Sequence, residues 1–364
     1  MLVGRYIKYF SSRKPLIVTD KIVRTFHWFH EIISVIDENV PDYCIFDDLT
    51  ENPKDYEAML GAEFFLKNDC DLIIAIGGGS PIDCAKAISI VSTNGGHILD
   101  YVGVDQINLP GPPLICIPST AGTGADVSQF AIIADSKNLI KKAIISKKVV
   151  PDLALVDPIP LETLSKKLIA VTGMDALTHA IEAYVSNAQS ALTDVHSSKA
   201  IQLITNSIES TYADNRTLYD LNSMMLGSLH AGIAFSNASL GAVHALAHSL
   251  GGVLDLPHGK CNSILLCHVI DFNYDSASHR YGEISSLIGI KNNDKKSLIN
   301  YINDLTLALG IPEKFHVEAL DVSLKESLIN NALNDPCLIT NPCELNQKDV
   351  ERIYDKIIQQ KNHA

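Results

Sequence analysis

No stretch of this 364-residue chain approaches the roughly 18 consecutive apolar residues that a membrane span requires, so a spanning helix is not expected. The first residues, MLVGRYIKYFSSRKP, mix basic and aromatic groups too freely for a secretory signal. No CxxC pair occurs among the eight cysteines, several of which lie in apolar runs such as Leu114-Ile115-Cys116-Ile117. They read as buried, reduced thiols of a cytoplasmic protein. No basic stretch offsets the formal charge of −13, which argues against a nucleic-acid footprint. The chain also lacks internal repeats and low-complexity linkers. At this length, and with 46% hydrophobic residues, two domains packed around a cleft are expected.

What is present divides the chain in two. The first part alternates short apolar runs with amphipathic stretches. KPLIVTD (14–20), DYCIFDD (42–48), CDLIIAIGGGS (70–80), PPLICIPST (112–120), SQFAII (128–133) and LALVDP (153–158) read as strands. Strands alternating with helical segments predict an α/β domain over residues 1–160, built on a parallel sheet with crossover helices. Beyond Asp157-Pro158-Ile159-Pro160 the period changes. LIAVTGMDALTHAIEAYVS, SSKAIQLITNSIES and SMMLGSLHAGIAFS carry helical spacing, which predicts an all-helical domain over 161–364.

Two loops in the first part have phosphate-binding character. Gly77-Gly78-Gly79-Ser80 follows a strand and opens the helical stretch PIDCAKAISIV. Glycines there let backbone N–H groups approach an anion at a helix N-terminus. Pro81 suits the first helical turn, and so does the acid of Asp83. Ser119-Thr120-Ala121-Gly122-Thr123-Gly124 repeats the arrangement after another strand, and the pair points to a dinucleotide site. Asp20, ending the first strand, is either a helix N-cap or a ribose ligand that repels a 2′-phosphate. Asn52 lies in a loop where it caps a helix or touches a cofactor. Lys141 is either a phosphate partner or half of a solvated pair with Lys142.

The second part carries a metal-binding pattern. Asp175 and His179 in GMDALTHAIEAY lie at i, i+4, on one face of a helix. His244 and His248 repeat that spacing in GAVHALAHSLGGVLDLPHG, and a loop can present His258. Asp175, His179, His244 and His258 form a mixed N/O set without thiolate, suited to catalytic Fe²⁺ or Zn²⁺. His27, His30, His97, His196, His279, His316 and His363 lack such a context and read as surface or core. His230 and His268 read as satisfied core histidines.

These motifs resemble those of the iron-containing (group III) alcohol dehydrogenase family. The resemblance rests on Ala242–Gly252 continuing to Pro257-His258-Gly259, on Gly173–Tyr184, on GGGSPID and PSTAGTGADVSQ, and on TNP at 340–342. It spans essentially the whole chain. It implies that the metal ligands are Asp175, His179, His244 and His258. It implies cofactor contacts at Asp20, Asn52, Gly78, Gly79, Ser80, Asp83, Ser119, Thr120, Ser128, Phe130 and Lys141. His248 matches a non-ligand histidine near the nicotinamide. The implied activity is hydride transfer between a small primary alcohol, or its aldehyde, and NAD, in a cytoplasmic homo-oligomer, dimer or larger, that engages neither nucleic acid nor membrane. A related metal-dependent reaction on polyols, or an elimination, is a lesser alternative. Two departures stand out. Family members carry a further extended segment ahead of the position of Met1, and the usual Thr-Thr and Ser-Glu appear here as Ser119-Thr120 and Ala125-Asp126. The ADVSQFAII and SNASLGAVHALAHSLGG segments resemble a branch called alcohol-dehydrogenase-like regulatory proteins. A sensory protein with little turnover is therefore the competing expectation.

Overall fold

The computed structural model describes residues 2–138, 140–317 and 321–360. The chain divides between Leu164 and Ser165 into two compact units. The prolines at 158 and 160 sit just ahead of that division, at the start of the 3-10 turn Ile159–Thr163.

The N-terminal unit opens with α1 (Val3–Tyr9) and β1 (Pro15–Val18). Then come α2 (His27–Asp37), β2 (Cys44–Phe46), α3 (Asp55–Lys67), β3 (Leu72–Gly77) and α4 (Gly79–Asn94). After β4 (Gly103–Val104) follow β5 (Leu114–Pro118), β6 (Phe130–Asp135), β7 (Ile140–Ile145) and β8 (Leu153–Ala154). Five strands form a parallel sheet in the order β2-β1-β3-β5-β8. The runs PLIV, LIIAIG and LICIP are buried along their whole length because helices cover both faces of the sheet. Side chains alternate between those faces. Leu16, Val18, Ile73, Ala75 and Cys116 pack with Phe65, Ile82 and Ile88 of α3 and α4. Ile17, Ile74, Ile76, Ile115 and Ile117 pack on the other side with Ile7, Trp28, Phe29 and Ile36 of α1 and α2.

The run at 128–133 departs from the sequence expectation. Instead of extending the parallel sheet, β6 turns back on β7 as an antiparallel hairpin, and β4 joins β7 in a separate three-stranded sheet. Asp135 nucleates the reversal, its Oδ1 accepting the N–H groups of Lys137 and Asn138 at 3.2 and 2.9 Å. The partner strand IKKAII went unread because Lys141 and Lys142 interrupt its apolar pattern.

The C-terminal unit comprises α5 (Lys166–Val185), α6 (Ala191–Tyr212), α7 (Leu218–Ala238), α8 (Ala242–Leu254), α9 (His258–Asn273), α10 (Ser278–Leu287) and α11 (Lys295–Ala308). It continues with β9 (Phe315–Val317), α12 (Val322–Leu333), α13 (Gln347–Ile357) and β10 (Ile358–Gln360). The expectation of an all-helical unit needs one correction: β9 and β10 form a short parallel pair. Three-residue strands are too short to show a period in the sequence. Among the described residues no helix is long and apolar enough to cross a membrane.

Candidate active site

The strand order reverses between β1 and β3, since the chain runs outward to β2 and then crosses to β3, β5 and β8. Ligands of doubly wound sheets bind at that switch point, beyond the carboxyl ends of the strands. Register aligns Val18 with Ala75, and Gly77 with Pro118. Asp20, the Gly78–Ser80 turn and Ser119-Thr120 therefore share one edge. The α4 N-terminus has no side-chain cap, so its first N–H groups remain for an anion. Asn52, Ser80 and Lys141 meet there. The Asn52 N–H donates to Ser80 Oγ at 3.2 Å, and Lys141 Nζ donates to Asn52 Oδ1 at 2.8 Å. Asp20 Oδ1 accepts the N–H groups of Ile22 and Val23 at 2.8 Å each, at the entry to the 3-10 turn Val23–Thr25.

Asp83, Ser128 and Phe130 face a group that the sequence reading passed over. Lys86, fully buried in α4, donates to the carbonyls of Ser128 and Phe130 at 2.8 and 2.7 Å. Burial lowers its pKa and raises those of Asp83 and Asp126 to about 6. Asp83 also accepts the Ile132 N–H at 3.2 Å. These bonds tie α4 to the start of the β6–β7 hairpin.

The metal-type residues sit on three helices of the C-terminal unit. Asp175 and His179 lie one turn apart on α5, and His244 and His248 lie one turn apart on α8. His258 opens α9 rather than riding on a loop. Gly259 permits this, because a Cβ there would lie 2.5 Å from the Val171 carbonyl of α5. The carboxylate of Asp175 and the imidazoles of His244 and His258 converge, with Oδ1 3.9 Å from His244 Nε2 and 3.7 Å from His258 Nε2. His179 packs beside them, its ring stacked on His244 at 4.5 Å and on Phe235 at 4.4 Å. His248 points its Nδ1 elsewhere, at Asp335 Oδ2, 2.8 Å away.

Three converging lone pairs call for a donor or a cation. The amide nitrogen of Asn262 lies 2.6 Å from Asp175 Oδ1, 3.0 Å from His244 Nε2 and 3.2 Å from His258 Nε2. Its two hydrogens cannot serve three acceptors, and its own Oδ1 is buried without a partner. The donor set fits a divalent transition ion.

Glu182 supports this centre and was missed in the sequence, although 175, 179 and 182 share one face of α5. Its Oε2 lies 2.5 Å from His244 Nδ1, and its Oε1 accepts the Val243 N–H at 2.6 Å. Burial lowers the pKa of His244 to about 3, which keeps its imidazole neutral, as a metal ligand has to be, and raises that of Glu182 to about 7. A carboxylate on Nδ1 fixes the tautomer that leaves Nε2 for a metal. Glu182→Gln is therefore expected to weaken metal affinity by about 10–100-fold, measured by competitive chelator titration. Unchanged affinity would remove Glu182 from the centre. His196, read as surface or core, and His230, read as a satisfied core histidine, are partners of each other. Their Nδ1 atoms lie 2.9 Å apart across α6 and α7.

Comparison with known proteins accords with this geometry. Residues 2–158 match the iron-containing alcohol dehydrogenase family, and 169–358 match the C-terminal region of the Fe-containing alcohol dehydrogenase family. The chain is 37% identical over 357 residues to alcohol dehydrogenase 4 of Schizosaccharomyces pombe, covering 96% of this chain and 84% of that one. It is 36% identical over 361 residues to the NAD-dependent methanol dehydrogenase of Bacillus methanolicus, covering 96% and 94%. A solved 1,3-propanediol oxidoreductase superposes with a TM-score of 0.91 at 33% identity, covering 97% and 94%.

Proposed function

This chain belongs to the iron-containing alcohol dehydrogenase family, and we propose that it transfers a hydride between a small primary alcohol, or its aldehyde, and NAD, at a divalent metal held by Asp175, His179, His244 and His258. The observation that carries this reading is the convergence of Asp175 Oδ1, His244 Nε2 and His258 Nε2 on one point. When bound, the ion supplies Lewis acidity toward an alcohol or carbonyl oxygen, and the nicotinamide accepts the hydride.

The protein's own residues do the rest. The Gly78–Ser80 turn and the Ser119-Thr120 loop seat the pyrophosphate. Asp83, Ser128 and Phe130 shape the wall behind them through Lys86, while Asn52 and Lys141 close the edge. Glu182 orients His244. Oxidation of the alcohol also releases its hydroxyl proton, and His248 carries that proton away at Nε2. Fe²⁺ is the proposed ion, and Zn²⁺ fits the same donors. Cytoplasmic residence is supported by eight free cysteines. Assembly as a homo-oligomer rests on family resemblance alone.

Anaerobic loading with Fe²⁺, followed by NAD reduction against a panel of small alcohols, tests the reading. Absence of turnover with bound metal and bound NAD would favour the regulatory branch suggested by ADVSQFAII and SNASLGAVHALAHSLGG. The intact donor set supports turnover.

Cofactor choice gives a second test. Asp20 lies two residues beyond β1 (Pro15–Val18) at the switch point, where a carboxylate accepts ribose hydroxyls and repels a 2′-phosphate. NAD is expected to be preferred, and Asp20→Gly to relax the preference. Equal or better kcat/KM with NADP for the wild-type enzyme would refute this role for Asp20.

A further inference from the structure

We propose that Asp335 is the positioning residue of His248, holding its imidazole in the tautomer that leaves Nε2 able to take a proton. The proposal rests on the reading of His248 as the group that moves the substrate proton. Asp335 Oδ2 lies 2.8 Å from His248 Nδ1, and Asp335 Oδ1 accepts the Cys337 N–H at 2.8 Å. The two carboxylate oxygens thus divide their work. One ties the side chain to the 3-10 turn Pro336–Thr340, and the other faces the imidazole.

The turn is fastened to the start of the helix that carries His248. Thr340 Oγ1 donates to the Leu240 carbonyl at 2.6 Å, and Asn341 Oδ1 accepts the Ala242 N–H at 3.0 Å. Asn341 is locked in turn by a reciprocal amide pair with Asn273, both bonds 2.9 Å. Asp335 and His248 are therefore two points of one braced frame, although 87 residues separate them. Burial pushes the Asp335 carboxyl up, but His248 and the Cys337 amide outweigh it and hold the group below the usual carboxylate range. An ionised carboxylate only accepts hydrogen bonds, so Nδ1 carries the hydrogen. Cys337 completes the cluster. Its thiol, buried beside Asp335, is held well above its ordinary pKa and stays neutral. The 2.8 Å contact between Asp335 Oδ2 and His248 Nδ1 makes the pair a carboxylate–imidazole couple.

Asp335→Asn tests the assignment. Asparagine keeps the shape, and its Oδ1 can still accept the Cys337 N–H. Its NH₂ then faces Nδ1 as a donor and imposes the opposite tautomer. The expected loss is on the order of 10–10²-fold in kcat, with the KM for alcohol little changed. Metal content, NADH affinity and melting temperature should stay near wild type. His248→Ala should also keep its metal and lose kcat. In the His248→Ala background, Asp335→Asn should cost nothing further, because the carboxylate acts only through the ring. Asp335→Glu, which restores a carboxylate, should recover part of the activity.

An equal loss in both backgrounds would overturn the proposal, as would loss of metal or NADH binding in step with kcat. Wild-type kcat in Asp335→Asn, with His248→Ala impaired, would overturn the assignment of Asp335 alone. Wild-type kcat in His248→Ala would sink the reading of His248 and this proposal with it.

Discussion

Replacing His258 with alanine is expected to strip the metal and lower turnover by more than about 10³-fold, the several kcal/mol that a Lewis acid contributes to the barrier. NAD binding should be left nearly intact. His258 is the cleanest of the donors to remove. It opens α9, and its side chain is 25% exposed, so truncation leaves little cavity. His244 is expected to give the same metal loss with an added cost in stability. Its ring is buried, and its removal leaves the Glu182 carboxylate without the imidazole that faces it. The proposed dinucleotide loops belong to the other unit, whose sheet has its own two cores. NADH fluorescence titration should therefore report an affinity close to wild type in both variants. Metal content near wild type in both would remove the central claim about this site.

How much of this was legible before the fold was known follows from the range over which each signal acts. β1, β3 and β5 are buried on both faces, so each appears as an unbroken apolar run. The i, i+4 spacings of Asp175 with His179, and of His244 with His248, are properties of a single helix and survive in the one-dimensional text. Glu182 obeys the same helical rule and could have been found by extending the face of α5 one more turn. Asn262 likewise stands i+4 from His258 once α9 is known to begin there. Lys86 was not legible, because nothing local distinguishes a buried lysine from a solvated one. What holds it is a pair of carbonyls more than forty residues away. Asp335 and the His196–His230 pair are hidden for the same reason: only the packed structure brings their partners together. The expected parallel continuation through 128–133 failed for another reason. A strand's period says which residues face a core, but not which strand lies beside it.

Gly79→Val is the corresponding experiment on the nucleotide side, with an expected effect as selective as the metal variants and of opposite kind. Gly79 begins α4, and a Cβ there would lie 2.8 Å from Thr123 Cγ2 and 3.3 Å from Thr123 Cβ. Its neighbour Gly78 shows the same closeness, 3.3 Å to Thr120 Cγ2. The two phosphate-type loops thus meet through glycines, and a β-branched side chain at 79 must push them apart. Overpacking of this sort costs about 1–3 kcal/mol. The displaced groups are the first N–H donors of α4, so most of that cost should appear as lost NAD affinity, up to about 10²-fold. Metal content should not change, because all four proposed ligands lie in the other unit. Gly79→Ala should show a smaller loss. Thr123→Ser deletes the methyl that the new Cβ meets and keeps the hydroxyl, so the Gly79→Ala/Thr123→Ser double variant should bind NAD more tightly than Gly79→Ala alone. Wild-type NAD affinity in a folded Gly79→Val enzyme would place the pyrophosphate elsewhere. Failure of Thr123→Ser to rescue would show that the glycine serves the ligand directly, by close approach of its backbone, rather than the fit between the loops.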